Sequence, residues 1–164
     1  MKSLLFSSLS LFALVLTTGL SGPERAYAQS IDDITLNVYK EESCGCCVGW
    51  IAHMDERGFD STVFHPTNIY TLKEELGVLP KWQSCHTAVS KEGYLFEGHI
   101  PAKYISQFLA SPPADALGLA VPGMPMGSPG MEIGNRFTSY AVILMKKDGT
   151  SEVYATVKNQ AEQY

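Results

Sequence analysis

Apolar and polar residues alternate from Thr35 to Tyr39, with Leu36 and Val38 set against Thr35, Asn37 and Tyr39. A period of two predicts a strand with one buried face. The period changes after a polar break: Val48, Ile51 and Ala52 recur at helical spacing beside Trp50 and Met54, and Gly58 offers a stop. Ser61 to His65 predicts a second strand, ended by Pro66. Asn68 can cap a short helix with Ile69, Leu72 and Leu76 on one face, stopped by Gly77. Cys85 to Ser90 and Tyr94 to His99 then flank Lys91-Glu92-Gly93 as a predicted hairpin. Pro101 opens a helix carrying Tyr104, Ile105, Phe108 and Leu109, which Pro112-Pro113 ends. A Gly/Pro/Met-rich segment, Val121 to Met131, is too rich in proline to be a floppy linker. Ser139 to Met145 and Glu152 to Val157 make a last predicted hairpin.

Strand, helix, strand, helix, two antiparallel strands and helix is an α/β order. It is that of the thioredoxin-like βαβ–ββα arrangement, here with an extra C-terminal β-hairpin that would extend or cover a sheet edge. Open α/β sheets carry their sites where strands end and helices begin.

The N-terminus changes the setting. Lys2, the apolar run Leu4 to Leu20 and the small-x-small site Ala26-Tyr27-Ala28 predict an export signal over residues 1–28, cleaved before Gln29. Residues 29–164 are then expected to form one exported domain, with no membrane segment after cleavage. A formal charge of −5 without clustered Lys and Arg excludes a nucleic-acid footprint.

All four cysteines lie beyond the signal, and three of them share one turn in Cys44-Gly45-Cys46-Cys47. Thiols at a helix start sit among unpaired N–H groups and the positive helix end, which lowers a thiol pKa. Such thiols exchange disulfides or bind soft ions. The default in an exported chain is two disulfides, Cys44–Cys47 and Cys46–Cys85. A Cys44–Cys47 bridge closes almost no loop, however, so it would stabilise the fold little. With Cys44 in the non-helical cap, all three sulfurs can converge at the helix tip, a soft set suited to Cu(I). Zn²⁺ would need a closed tetrahedral set, completed by Cys85 or a histidine.

If Ser90 pairs with Tyr94, counting back pairs Cys85 with His99, which makes His99 a candidate ligand or a tuner of the thiol. Strand alternation would turn His86 to the other face unless the strand starts later. His53, two turns beyond Cys46 along the helix, is expected at the surface, and His65 in a loop. Met124 and Met126 offer soft thioethers on an extended loop, either as ligands near the thiols or as an independent copper collector.

Val38-Tyr39-Lys40, Cys44-Gly45-Cys46-Cys47 and Trp50 resemble the opening of the CopG-like family of small periplasmic proteins from copper-resistance operons. That family has long been catalogued as a domain of unknown function of the DUF411 type. The resemblance continues through Ser84-Cys85-His86-Thr87-Ala88, Glu97-Gly98-His99-Ile100-Pro101, Ala116 to Pro125 and Gly127 to Glu132, and ends near Tyr154. It implies a thioredoxin-like fold and a cysteine-ligated site holding several thiolate-bridged Cu(I) ions, with a role in periplasmic copper redox handling or storage. Carried onto this chain, the implied ligands are Cys44, Cys46, Cys47 and Cys85, with His86 and His99 as nearby candidates. A copper chaperone, an efflux protein or an oxidase would be the exchange partner.

Thioredoxins place a cis-proline before the strand facing the active site; here Ser84-Cys85 stands there and the nearest proline is Pro80. That departure favours metal over docking of a protein substrate. The rival reading is a thiol–disulfide oxidoreductase in which Cys44 attacks and Cys47 or Cys46 resolves. An iron–sulfur ferredoxin would also use four cysteines, but the three-in-four spacing and export as an unfolded chain argue against it.

Overall fold

In the computed structural model, which describes residues 34–164, the first alternating run becomes β1 (Ile34–Lys40), with Leu36 and Val38 wholly buried. The export signal expected over residues 1–28 lies outside the described residues. Helix α1 (Gly45–Asp55) carries the chain to β2 (Phe59–Phe64), which lies parallel to β1. Helix α2 (Ile69–Glu75) and a 3-10 turn, Pro80–Trp82, lead to β3 (His86–Ser90), which runs antiparallel along the other side of β1. β4 (Leu95–Glu97) pairs antiparallel with β3, and α3 (Ala102–Ala110) follows. β5 (Ala116–Ala120), β6 (Tyr140–Lys146) and β7 (Ser151–Val157) then extend the sheet to the order β2-β1-β3-β4-β5-β6-β7. The α/β order read from the sequence is present, and the C-terminal hairpin extends the sheet rather than covering its edge.

Alternation divides the apolar residues between two faces. Leu36, Val38, Ala88, Phe96, Leu119, Val142 and Leu144 meet Trp50 and Met54 of α1 and Ile105 and Phe108 of α3 in the main core. Leu95, Ala120 and Met145 point the other way, into a smaller core with Val78 and Trp82.

Three details depart from expectation. The buried stripe of α1 is Cys47, Trp50, His53 and Met54, whereas Val48 and Ala52 face outward, so the helix is turned from the Val48/Ile51/Ala52 face. Aligning Cys47, Trp50 and Met54 (i, i+3, i+7) buries the largest ring and carries a cysteine inward with it. In α2 the buried positions are Ile69 and Lys73, while Leu72 and Leu76 are half-buried. β5 was not expected, because Ala116-Leu117-Gly118-Leu119-Ala120 is poor in β-branched and aromatic residues. Its glycine answers to packing: a Cβ on Gly118 would stand 1.8 Å from the Leu95 carbonyl oxygen on the paired strand.

Candidate metal centre

Cys44 is the N-cap of α1, in extended conformation, and Cys46 and Cys47 lie in the first helical turn. The Cys44 N–H donates to the Glu41 carbonyl at 3.1 Å, closing the turn that delivers the chain from β1. Cys44 and Cys47 form a disulfide with their Cα atoms 5.4 Å apart. Cys46 and Cys85 are free thiols, so the default pairing is met in its first bridge and not in its second. The Cys46 sulfur lies 3.6 Å from that of Cys44 and 3.9 Å from that of Cys85. All four sulfurs fall within 4.8 Å of one another. The convergence at the helix tip is present.

Cys85 reaches this point because β3 pairs with β1 so that His86 stands opposite Lys40, at the end of β1 from which the chain turns toward α1. The hairpin register is as counted: Ser90 N–H bonds to the Tyr94 carbonyl, and Thr87 stands opposite Glu97. Two residues further on, the Cys85 sulfur lies 3.0 Å from His99 Nε2. His86 does not turn away; its Nδ1 lies 3.4 Å from the same sulfur. The strand begins at His86, so alternation does not govern the step from Cys85. Cys85, His86 and His99 thus form a second group whose ligand atoms lie within 4.8 Å.

Burial favours the neutral form of the groups around Cys85. Burial, then the neighbouring Cys46, pushes the Cys85 thiol up to about 12. Cys85 belongs to the hairpin and not to α1, so the positive helix end is not what sets its titration. Burial lowers both His86 and His99; the nearby His99 and Lys73 reinforce it for His86, while the Pro129 carbonyl opposes it for His99.

A buried polar network missed by sequence reasoning holds this hairpin end. Lys73 and Glu97 are both fully buried and ion-paired, and the Lys73 ammonium also donates to Thr87 Oγ1 at 3.0 Å. Glu97 accepts the Ser84 N–H at 2.6 Å and the Thr87 hydroxyl. It therefore clamps the residue before Cys85 from a position two residues before His99. Its legible signal was a glutamate directly after the apolar run Tyr94-Leu95-Phe96. Gly98, between Glu97 and His99, has a φ of 76°, and a Cβ there would lie 2.6 Å from both Ser84 Cβ and the Val121 oxygen.

Trp50 is the other residue missed. Its indole N–H donates to the Ile100 carbonyl at 2.8 Å, and its ring centroid lies 4.4 Å from that of His86. Trp50→Phe is expected to lower stability by about 1–3 kcal/mol, through an orphaned buried carbonyl, in denaturant unfolding of the variant and parent.

His53 is a correction. It is buried rather than at the surface, and its Nε2 accepts the Ala102 N–H at 3.1 Å, at the start of α3. Burial, helped by Arg57, lowers it to about 4. Since the unfolded chain protonates near pH 6.5 and the folded one only near 4, stability is full above about pH 6.5 and declines as pH falls between those values. A pH series of unfolding midpoints, flattened in His53→Gln over that window, checks this. His65 lies outside the strands, as expected, with Nδ1 3.1 Å from the Lys40 oxygen.

The Gly/Pro/Met-rich segment packs against the site with its backbone. The Ser84 hydroxyl donates to the Gly123 oxygen, and His99 Nδ1 lies 2.7 Å from the Pro129 oxygen. Met124 is 55% exposed and Met126 37% exposed. No helix among the described residues is long and apolar enough to cross a membrane.

Comparison with known proteins adds three findings. A family described as "Protein of unknown function, DUF411" matches residues 82–131, the stretch holding Cys85, His86, His99 and the methionine loop. A solved structure titled copper resistance protein CopG, form 2, is 39% identical with a TM-score of 0.73, covering 77% of this chain and 99% of that one. Its form 1 is likewise 39% identical, with a TM-score of 0.72 over 77% and 98% of the two chains. Among curated proteins, none matches.

Proposed function

Because the chain belongs to the CopG family of copper resistance proteins, we propose that it is an exported, periplasmic protein that binds Cu(I) through Cys44, Cys46, Cys47 and Cys85. The observation that carries this reading is four sulfurs within 4.8 Å of one another, contributed by two segments far apart in sequence. Thiolates are soft, and each can bridge two soft ions, so a cluster of several Cu(I) ions suits a crowded turn. Full occupancy requires reduction of the Cys44–Cys47 bridge, which ties copper loading to the thiol redox state. Two thiols can give one electron each to two Cu(II) ions, forming the disulfide and two Cu(I) and releasing two protons, and closing the bridge in this way removes two of the thiolates that hold Cu(I). His86 and His99 stand beside Cys85 as further donors, and the exposed Met124 would offer a soft thioether to copper exchanged with a chaperone, an efflux protein or an oxidase.

Anaerobic Cu(I) titration of the reduced protein tests the reading. Saturation above one copper per chain, falling to one or none in Cys85→Ser, is expected. Saturation at no more than one ion in the parent overturns the cluster.

A second reading rests on the Cys44–Cys47 disulfide at the start of α1, the geometry of a thiol–disulfide oxidoreductase. Insulin reduction that survives Cys85→Ser and is lost in Cys44→Ser would favour it over copper binding.

A further inference from the structure

We propose that residues 159–164 form a strap that pins the Gly/Pro/Met-rich loop, and that protonation of His53 unlatches it. The inference goes beyond the copper reading and needs no metal, so either can fail without the other.

The strap is a 3-10 turn, Gln160–Gln163, braced by its own side chains. The Asn159 side chain accepts the Glu162 N–H at 3.3 Å, and its amide donates to the Glu162 carboxylate at 2.8 Å. That carboxylate also accepts the Lys158 N–H at 2.7 Å. Gln163 turns inward and is fully buried. Its amide nitrogen donates to the Gly127 oxygen at 2.9 Å, and its amide oxygen accepts the Tyr140 hydroxyl at 2.5 Å. One side chain thus ties β6 to the loop, two residues before Pro129.

The other end of the strap rests beside His53. The Tyr164 ring centroid lies 5.8 Å from that of His53, and the Arg57 guanidinium stands 4.8 Å from the Tyr164 ring. Lys103 Nζ donates to the Tyr164 oxygen at 3.4 Å. A cavity of about 270 Å³, lined in part by Arg57, Lys103 and Ser106, adjoins Gln163 and Tyr164. Tyr164 itself is 56% exposed. The strap is therefore held mainly by hydrogen bonds that water can replace, the character of a segment that opens locally.

His53 is where a proton enters this assembly. Neutral, its Nε2 accepts the Ala102 N–H; protonated there, the ring has no lone pair and confronts that N–H donor to donor. Arg57, whose guanidinium donates to the His53 carbonyl at 2.9 Å, adds a like charge. Helix α3 presents Lys103 on the same side, and the strap presents the neutral Tyr164 ring. The flanking carboxylates are engaged elsewhere, Glu56 with Arg57 and Glu162 within the strap. A lifted strap lets water reach the imidazole, so the proton binds the open form more tightly and draws the equilibrium toward it. With His53 near 4 when covered and near 6.5 in water, opening is expected to rise up to about 30-fold between pH 7.5 and pH 5.

Hydrogen exchange of the metal-free protein, followed by NMR and corrected for intrinsic rates, tests this. The Gln163 side-chain amide and the Glu162 backbone amide are expected to lose up to about 30-fold in protection at pH 5, while the Val38 amide of β1 keeps its own. His53→Gln, which retains an acceptor for the Ala102 N–H, should abolish the pH dependence. An equal fall at Val38 overturns the proposal, because acid would then be loosening the whole fold. Protection that is constant with pH, or equally pH-dependent in His53→Gln, overturns it as well. Gln163→Ala tests the pinning without titration: the Gly127 N–H, bonded to the Met131 oxygen at 2.9 Å, should lose protection at both pH values. An unaffected Gly127 would show that the strap does not hold the loop.

Discussion

Glu97→Ala is expected to lower the unfolding free energy by about 3–5 kcal/mol, the usual result of removing one partner from a buried ion pair. The substitution leaves the Lys73 ammonium fully buried with Thr87 Oγ1 as its remaining acceptor, and it orphans the Ser84 N–H. The pair itself contributes little net stability, because burying two charges costs several kcal/mol per ion before their attraction is counted. Burial accordingly pushes the Glu97 carboxyl up, against the pull of Lys73, Thr87 and the Ser84 N–H. A Lys73→Met/Glu97→Leu double variant is therefore expected to recover most of the loss. Urea unfolding of the single and double variants checks both statements; a double variant no more stable than Glu97→Ala would contradict them. The recovered fold should still bind Cu(I) less well, since Ser84 would remain unclamped beside Cys85.

Gly130→Ala is expected to cost about 3 kcal/mol or more, a large effect for one added methyl group. Gly130 has a φ of 83°, and a Cβ there would lie 2.4 Å from the Cys46 carbonyl oxygen and 2.5 Å from the Trp50 nitrogen. Both neighbours are helix backbone and cannot swing aside. Left-handed backbone alone costs an L-residue about 1–2 kcal/mol, and overpacking adds roughly 1–3. Relief requires the loop to lift from α1, carrying the Pro129 oxygen away from His99. Denaturant unfolding measures the cost, and imidazole nitrogen NMR of His99 reports the lost hydrogen bond. An unshifted His99 signal with unchanged stability would show that the close approach does not exist in solution.

Much of the layout was legible because it rests on local rules. The period-two run of β1, the Asn68 cap, whose side chain accepts the Tyr70 and Thr71 N–H groups, and the Lys91-Glu92-Gly93 turn all declare themselves within a few residues. The turn alone carried the count from Ser90–Tyr94 to Cys85–His99. What stayed hidden depends on partners far along the chain. The facing of α1 was decided by where Trp50 could reach Ile100, and the burial of Lys73 by a glutamate 24 residues away. β5 exists because Gly118 permits a close approach to Leu95, and no propensity scale registers that. His86 faces Cys85 because β3 starts one residue later than Cys85, the condition under which alternation does not turn it away.

The sequence separation of 39 between Cys46 and Cys85 sets an order of events as the chain matures. Cys44 and Cys47 are three residues apart and can meet as soon as the first helical turn forms, whereas Cys85 arrives only after β3 has found β1. In an oxidising setting the local pair therefore closes first, leaving Cys46 without a near neighbour to cross-link. The cysteine spacing thus guards its own assembly, directing early oxidation into the one bridge that a later reductant can reopen without unfolding the sheet.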